Sequence, residues 1–134
     1  MKLVVDANVL FSALIKDSMT RRLFFEEKLE IYAPEYLFEE FAEHRGEIIR
    51  KTHRSEADFW EVMAILKSKI NIVPLSEFEI FMEKARGVSP DKDDAIYFAV
   101  AFAIKGAIWS NDKRLKSQKA VRVLNTKEIA AGAV

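Results

Sequence analysis

The stretch Met1-Lys2-Leu3-Val4-Val5-Asp6-Ala7-Asn8-Val9-Leu10 decides how the rest of the chain is read. Leu3, Val4 and Val5 form a short apolar run with two β-branched residues, which suits a buried strand over residues 2–6. The run ends on a carboxylate, Asp6. A charge at the end of a buried element is costly unless something pairs with it. Residues 8–16 follow as an apolar helix, with Asn8 or Asp6 near its cap.

Two further acidic places resemble the first. Asp91-Lys92-Asp93-Asp94 opens the unbroken apolar run 95–104, and Asp112 follows Ala107-Ile108-Trp109. Five of the seven aspartates lie in these three places, so the acids gather at element ends instead of spreading over a solvated surface. Carboxylates distant in sequence, each closing or opening a buried element, point to a site for a divalent cation.

Composition narrows the chemistry. The 134 residues make one domain, 1–134, and half of them are hydrophobic, enough for a core without staples. The absence of cysteine excludes disulfides and thiolate metal sites. His44 and His53 cannot supply a zinc set unaided, so any metal should be hard and oxygen-ligated, Mg²⁺ or Mn²⁺. Lys plus Arg equals Asp plus Glu, 21 each, which argues against coating nucleic acid by bulk charge but not against local basic patches. With no signal peptide before Lys2 and no apolar stretch of membrane-spanning length, a cytoplasmic protein without a membrane partner is expected.

Further along, Ser18 or Thr20 caps a short helix to about residue 28, and a strand over 30–33 stops at Pro34. A helix reaches from Pro34 to about Lys51, and Ser55 caps another to about Ser68. A strand over 71–74 and a helix over 76–86, stopped by Gly87, come next. The most buried helix is expected over 91–105, ended by Gly106. A strand over 107–109, a short helix over 111–117, a strand over 121–124 and a terminal helix capped by Asn125 or Thr126 complete the chain. Short apolar strands alternating with helices indicate an α/β sandwich on a parallel sheet, with both sheet faces covered. In such sheets ligands bind beyond the carboxyl ends of the strands, where Asp6 and Asp112 both fall.

Each acid also has a plain structural reading. Asp6 and Asp112 can cap or charge a first turn, and Asp91 with Asp94 has capping-box spacing. One cap needs one or two acids, however, and three adjacent carboxylates repel one another until a cation relieves them. Asp94 directly precedes the apolar run, so packing anchors it best. A fourth acid should come from the helix Glu35-Tyr36-Leu37-Phe38-Glu39-Glu40-Phe41-Ala42-Glu43-His44. Glu39 and Glu40 flank opposite borders of its apolar arc and Glu43 points away, so periodicity leaves the choice between the border pair open.

Together the segments Leu-Val-Val-Asp6-Ala-Asn8-Val-Leu-Phe-Ser12, Ala-Pro-Glu-Tyr-Leu-Phe-Glu-Glu40-Phe, Asp91-Lys-Asp-Asp94-Ala-Ile-Tyr-Phe-Ala and Ile-Trp-Ser110-Asn-Asp112-Lys-Arg-Leu resemble the PIN domain. This is a family of Mg²⁺/Mn²⁺-dependent nucleases that includes VapC-type toxins. The resemblance implies an α/β/α sandwich and a catalytic, metal-holding quartet that falls on Asp6, Glu40, Asp94 and Asp112. The family pattern picks Glu40 over Glu39, and it leaves the third acid ambiguous by one position within Asp93-Asp94. It matches Asn8 to a small polar position and Ser110 to the hydroxyl residue before the last acid. It further implies an RNA substrate, an antitoxin protein as partner if the chain is a toxin, and pairing into a homodimer or higher oligomer.

Phosphodiester hydrolysis fits these residues. Asp6 and Asp94 would ligate Mg²⁺ or Mn²⁺ directly, Asp112 directly or through water, and Glu40 would orient water or a second ion. Asn8 and Ser110 would hold the acids or the phosphate, and Lys113, Arg114 and Lys116 would contact the RNA backbone. Arg50, Lys51, His53 and Arg54 form a second basic cluster. Phe24, Phe25, Phe59, Trp60, Phe78 and Phe81 exceed what helix packing obviously needs and are candidates for a self-association surface. Three other readings compete. A haloacid-dehalogenase-type phosphatase would need an aspartate where Asn8 stands. A receiver domain would place its acidic pair near the first strand. A non-catalytic PIN-like interaction module would keep the fold without turnover.

Overall fold

The computed structural model describes residues 1–15 and 18–132. Strand β1 (Lys2–Val5) carries Leu3, Val4 and Val5 fully buried, as the apolar run requires. Strands β2 (Glu30–Pro34), β3 (Ile70–Val73), β4 (Ala107–Trp109) and β5 (Val123–Leu124) join it in a five-stranded sheet ordered β3-β2-β1-β4-β5. Every neighbouring pair is parallel; Val4 pairs with Tyr32 on one side and Ile108 on the other. The expected single α/β domain with a short-stranded parallel sheet flanked by helices is the fold that forms.

The strand order governs where helices go. From β1 the chain steps outward to β2 and β3, carrying α1 (Ala7–Leu14), α2 (Met19–Leu23), α3 (Glu35–Glu43), α4 (Arg45–Thr52) and α5 (Glu56–Lys69). It then returns past β1 to β4 through α6 (Leu75–Phe78), a 3₁₀ turn at Glu79–Phe81, α7 (Met82–Val88), a 3₁₀ turn at Lys92–Asp94 and α8 (Ala95–Ile104). Right-handed crossovers place outward and return helices on opposite faces. In keeping with this, α1 packs on α2 and α5, while α6 and α7 pack on α8. The carboxyl ends of β1 and β4 adjoin where the direction of winding reverses, the crevice in which such sheets hold ligands. A 3₁₀ turn at Lys113–Ser117 and helix α9 (Thr126–Ala130) finish the fold.

Local caps follow the sequence closely. Ser18 and Ser55 cap α2 and α5, and Asn125 forms a capping box with Glu128 at α9. The differences lie where distant contacts override local pattern. Helix α2 ends at Leu23, well before residue 28, and residue 16, the expected end of the first helix, lies outside the described residues. The helix expected from Pro34 to Lys51 breaks at His44. There Arg45 donates through Nη1 to the Ala42 carbonyl (2.9 Å), pairs with Glu56 on α5 (3.2 Å) and lies over the Trp60 ring. The helix expected over 76–86 breaks at Phe78 and Phe81, whose rings turn into the core and toward Phe102, and it continues through Gly87 to Val88. Strands expected over 71–74 and 121–124 occupy 70–73 and 123–124.

Among the six aromatic candidates for a self-association surface, Phe24, Phe59 and Phe78 are core residues and Phe81 is partly buried against that core. Phe25 and Trp60 remain exposed.

Gly106 does not end α8 by its own conformation; Lys105 takes the left-handed turn (φ 56°). Glycine is needed at 106 because a Cβ there would sit 2.6 Å from the Lys2 carbonyl oxygen. Gly106→Ala is therefore expected to destabilise the protein by about 1–3 kcal/mol through overpacking. Gly46→Ala, in α4 with nothing within 4 Å, should stabilise by about 0.5–1 kcal/mol. Urea unfolding of both variants checks the contrast.

Candidate active site at the sheet's carboxyl edge

Asp6 leaves β1 with extended backbone and serves as the N-cap of α1, its Oδ1 accepting from Val9 N–H at 2.9 Å. The structural reading of Asp6 as a cap is thus correct as far as it goes. Yet Asp6 is also only 5% exposed. Burial pushes its carboxyl up, opposed by hydrogen bonds from the Ser110 side chain and from the Val9 and Asn8 backbone, while Asp112 raises it further. Asn8 therefore reaches Asp6 through its backbone N–H. Ser110, fully buried after β4, serves both acids, because its Oγ also accepts from the Asp112 N–H at 3.1 Å.

Asp94 behaves differently from its neighbours. Asp91 caps the 3₁₀ turn by accepting from Asp93 N–H, and Asp112 caps the turn after β4 by accepting from Arg114 N–H. Asp94 stands at the N-cap position of α8 but makes no cap hydrogen bond. Its carboxyl is pushed up to about 6, first by burial and then by Asp91, Asp6 and Asp112, with Arg114 opposing. The carboxylates of Asp6, Asp94 and Asp112 thus come from three elements and act on one another electrostatically. Asp93, by contrast, is exposed.

Asp112 is held below the usual carboxylate range by the Arg114 guanidinium. Arg114 Nε reaches both carboxylate oxygens (3.1 and 3.2 Å), and its Nη2 reaches Oδ2 at 2.7 Å and Asp91 at 3.8 Å. Lys116 pairs with Glu128, and both Lys116 and the exposed Lys113 line the cleft with Ser110, Asp112 and Asn125. Of the second basic cluster, Arg54 is buried and structural, donating to the Leu14 carbonyl and pairing with Asp58 at 2.8 Å.

On α3 the two border glutamates part company. Glu39 faces a cleft with Tyr36, Leu75 and Phe78, whereas Glu40 lines one with Ala7 and Asn8, beside Asp6. Glu40 accepts from the Tyr36 hydroxyl at 3.0 Å. Tyr97 is a member of the site that sequence reading absorbed into the apolar run of α8. Its hydroxyl accepts from Ala7 N–H at 3.2 Å, and burial together with the charges of Asp6, Asp94 and Glu40 pushes the phenol up. One hydroxyl in an otherwise apolar run, three residues after Asp94, was the available signal.

The donor chemistry suits a hard divalent ion, since oxygen ligands that raise one another's proton affinity are relieved by a cation. Among the described residues, however, no three or more His, Asp or Glu side chains are gathered ready to hold a metal. A bound ion would have to win Asp112 from Arg114.

Asp94 also sets a pH dependence. Its pKa is raised from 3.8 to about 6 in the folded chain, so the folded state binds more protons across that interval and stability falls as pH rises from about 4 to about 6. Asp6 acts in the same direction, while the lowered Asp112 costs stability only as pH falls below the ordinary carboxylate range. Thermal unfolding in chelator should show the wild-type melting temperature declining between pH 4 and 6 more steeply than that of Asp94→Asn.

No curated protein matches the chain. The family model described as PIN domain matches residues 4–131. Among solved structures, a chain of VapBC2 from Rickettsia felis, in a crystal structure with a DNA fragment from their promoter, matches with a TM-score of 0.69 at 15% identity. The match covers 93% of this chain and 98% of that chain, and at such identity the likeness is one of fold. Because the family pattern runs from Val4 to Ala131, across the strand and helix ends that carry all of these acids, the chain belongs to the PIN domain family, a family of nucleases.

Proposed function

We propose that this chain is a cytoplasmic, Mg²⁺- or Mn²⁺-dependent ribonuclease that cuts single-stranded RNA endonucleolytically. The observation that carries this reading is Asp94: a half-buried carboxyl without a cap role, pushed up to about 6 beside Asp6 and Asp112. Structural acids are placed to keep their charge; this one is placed where only a cation or a proton makes it comfortable.

Asp6, Asp94 and Asp112 are the residues that would hold the metal, with Glu40 at its edge. The ion, when bound, would polarise a phosphoryl oxygen and lower the pKa of a water. Ser110 keeps Asp6 and Asp112 in register through its single hydroxyl. Tyr97 fixes the start of α1 by accepting from Ala7, which holds Asp6 beside α8. Glu40, which accepts from the Tyr36 hydroxyl and caps no backbone, would orient an attacking water. Lys113 and Arg114 would meet the RNA backbone without reading sequence.

The family and the VapBC2 likeness support a role as the toxin of a toxin–antitoxin pair, with an antitoxin protein as partner. Self-association into a homodimer or higher belongs to the same reading. Its support is the apolar surface left outside the core, including Leu75 and Ile80, the latter 83% exposed. The non-catalytic alternative draws on two observations: the Arg114 clasp over Asp112, and the lack of a ready ligand set among the described residues.

Asp94→Asn should abolish Mn²⁺-dependent cleavage of single-stranded RNA, by roughly a hundredfold or more, and weaken Mn²⁺ binding measured by calorimetry, while circular dichroism shows an intact fold. Wild-type cleavage that survives in chelator would sink the metal-dependent reading. Arg114→Ala should act oppositely on the ion, tightening Mn²⁺ binding several-fold by freeing Asp112, while flattening the salt dependence of RNA binding.

A further inference from the structure

We propose that the cleft between α1 and the α3–α4 pair is a nucleobase subsite, taking one unstacked base of the RNA next to the phosphate at the acids. This rests on the ribonuclease reading above. The cleft has a volume of about 220 Å³. That is below the ~300–1,000 Å³ of clefts that take drug-sized molecules, and suits a single planar ring system.

Its lining has the character that recognition of a splayed-out base requires. Phe11 is half-buried and Phe41 and Ile48 are buried, giving an apolar wall, while Asn8, His44 and Lys51 are exposed at it. Bases of single strands are held by stacking on aromatic or imidazole rings and by hydrogen bonds to their edges. An amide offers both a donor and an acceptor, and an imidazole can stack or bond.

Charge selects a base over a phosphate. Among the described residues that line this cleft, the one ammonium, Lys51, is already paired with Glu47 at 2.7 Å, and Glu40 adds a carboxylate. An anion would be repelled, whereas a neutral ring would not. The neighbouring cleft at Ser110, Lys113 and Asn125 has the polar character that suits backbone, and the cleft at Glu35 and Glu39 pairs two carboxylates with Tyr36, Leu75 and Phe78. Position completes the case, because Ala7 and Asn8, the two residues that follow Asp6 in the chain, line the subsite. A base seated there belongs to a nucleotide flanking the cut.

Two measurements test the subsite separately from the activity. First, metal-free protein is titrated with the four ribonucleosides and followed by amide NMR. Shifts confined to the backbone around Asn8, Phe11 and His44, larger for some bases than others, are expected. Second, a random-sequence RNA pool is cut in Mn²⁺ and the ends are sequenced, comparing wild type with Asn8→Ala and His44→Ala. Wild type should prefer a base at one position beside the cut by roughly tenfold, and each variant should lose most of that preference. Both side chains are exposed, so the variants should fold. Nucleoside shifts that map elsewhere, together with an unchanged end profile in both variants, would overturn the subsite while leaving the ribonuclease reading intact. Nucleoside shifts at the cleft with no cleavage by wild type would support the subsite and overturn the ribonuclease reading.

Discussion

The structure depends on holding carboxylates at the mouth of a parallel sheet, where they act on one another electrostatically. Asp6 is almost completely buried, and Asp94 is raised by burial as well as by its acidic neighbours. Neither arrangement is what a stable fold would choose for itself, because like charges out of water repel strongly. The surroundings answer this strain with specific polar groups. Ser110 serves Asp6 and Asp112 together, Tyr97 anchors the residue after Asp6, and Arg114 sets a positive charge against Asp112. Sheet order makes such gathering possible, since only strands adjoining at the reversal of winding bring residues 6 and 112 to one edge.

Caps and catalytic candidates are not mutually exclusive here. Asp6, Asp91 and Asp112 each satisfy a backbone N–H at the start of a helix or 3₁₀ turn, which orients the carboxylate as it stabilises the turn. A capping carboxylate keeps a second oxygen for other work. The site is therefore assembled from groups that local folding already fixes, which is a form of preorganisation.

What was legible in the sequence was what local chemistry determines. The run Leu3-Val4-Val5, the apolar helix after Asp94 and a terminal helix capped at Asn125 or Thr126 follow from period and cap type alone; the structure chooses Asn125 and adds its capping box with Glu128. The breaks at His44, Phe78 and Phe81 were not legible. They coincide with contacts that no local pattern reveals, Arg45 meeting Glu56 and the Phe81 ring meeting Phe102 on α8. Glu39 and Glu40 could not be separated by periodicity, because both border the apolar arc; the fold separates them by putting different helices opposite each. Tyr97 was hidden inside an apolar run, where a tyrosine reads as bulk until its hydroxyl is seen to accept from Ala7. The Arg114 clasp was equally hidden, since a basic residue after an acid reads as a rim before its geometry is known.

Helix α8 is fastened at both ends. Its start is the Asp94 position, and its finish is the left-handed Lys105 followed by Gly106 pressed against the Lys2 carbonyl. The ten residues between behave as a ruler: at 1.5 Å and about 100° per residue, they set both the height and the bearing of Asp94 over the sheet edge. Substitution within α8 can alter its packing and still leave that bearing alone. A single inserted or deleted residue cannot, for it would swing Asp94 through about 100° and carry it away from Asp6. Evolution along this segment should therefore proceed by exchange of side chains at constant length, with changes of length confined to the connections on the opposite rim.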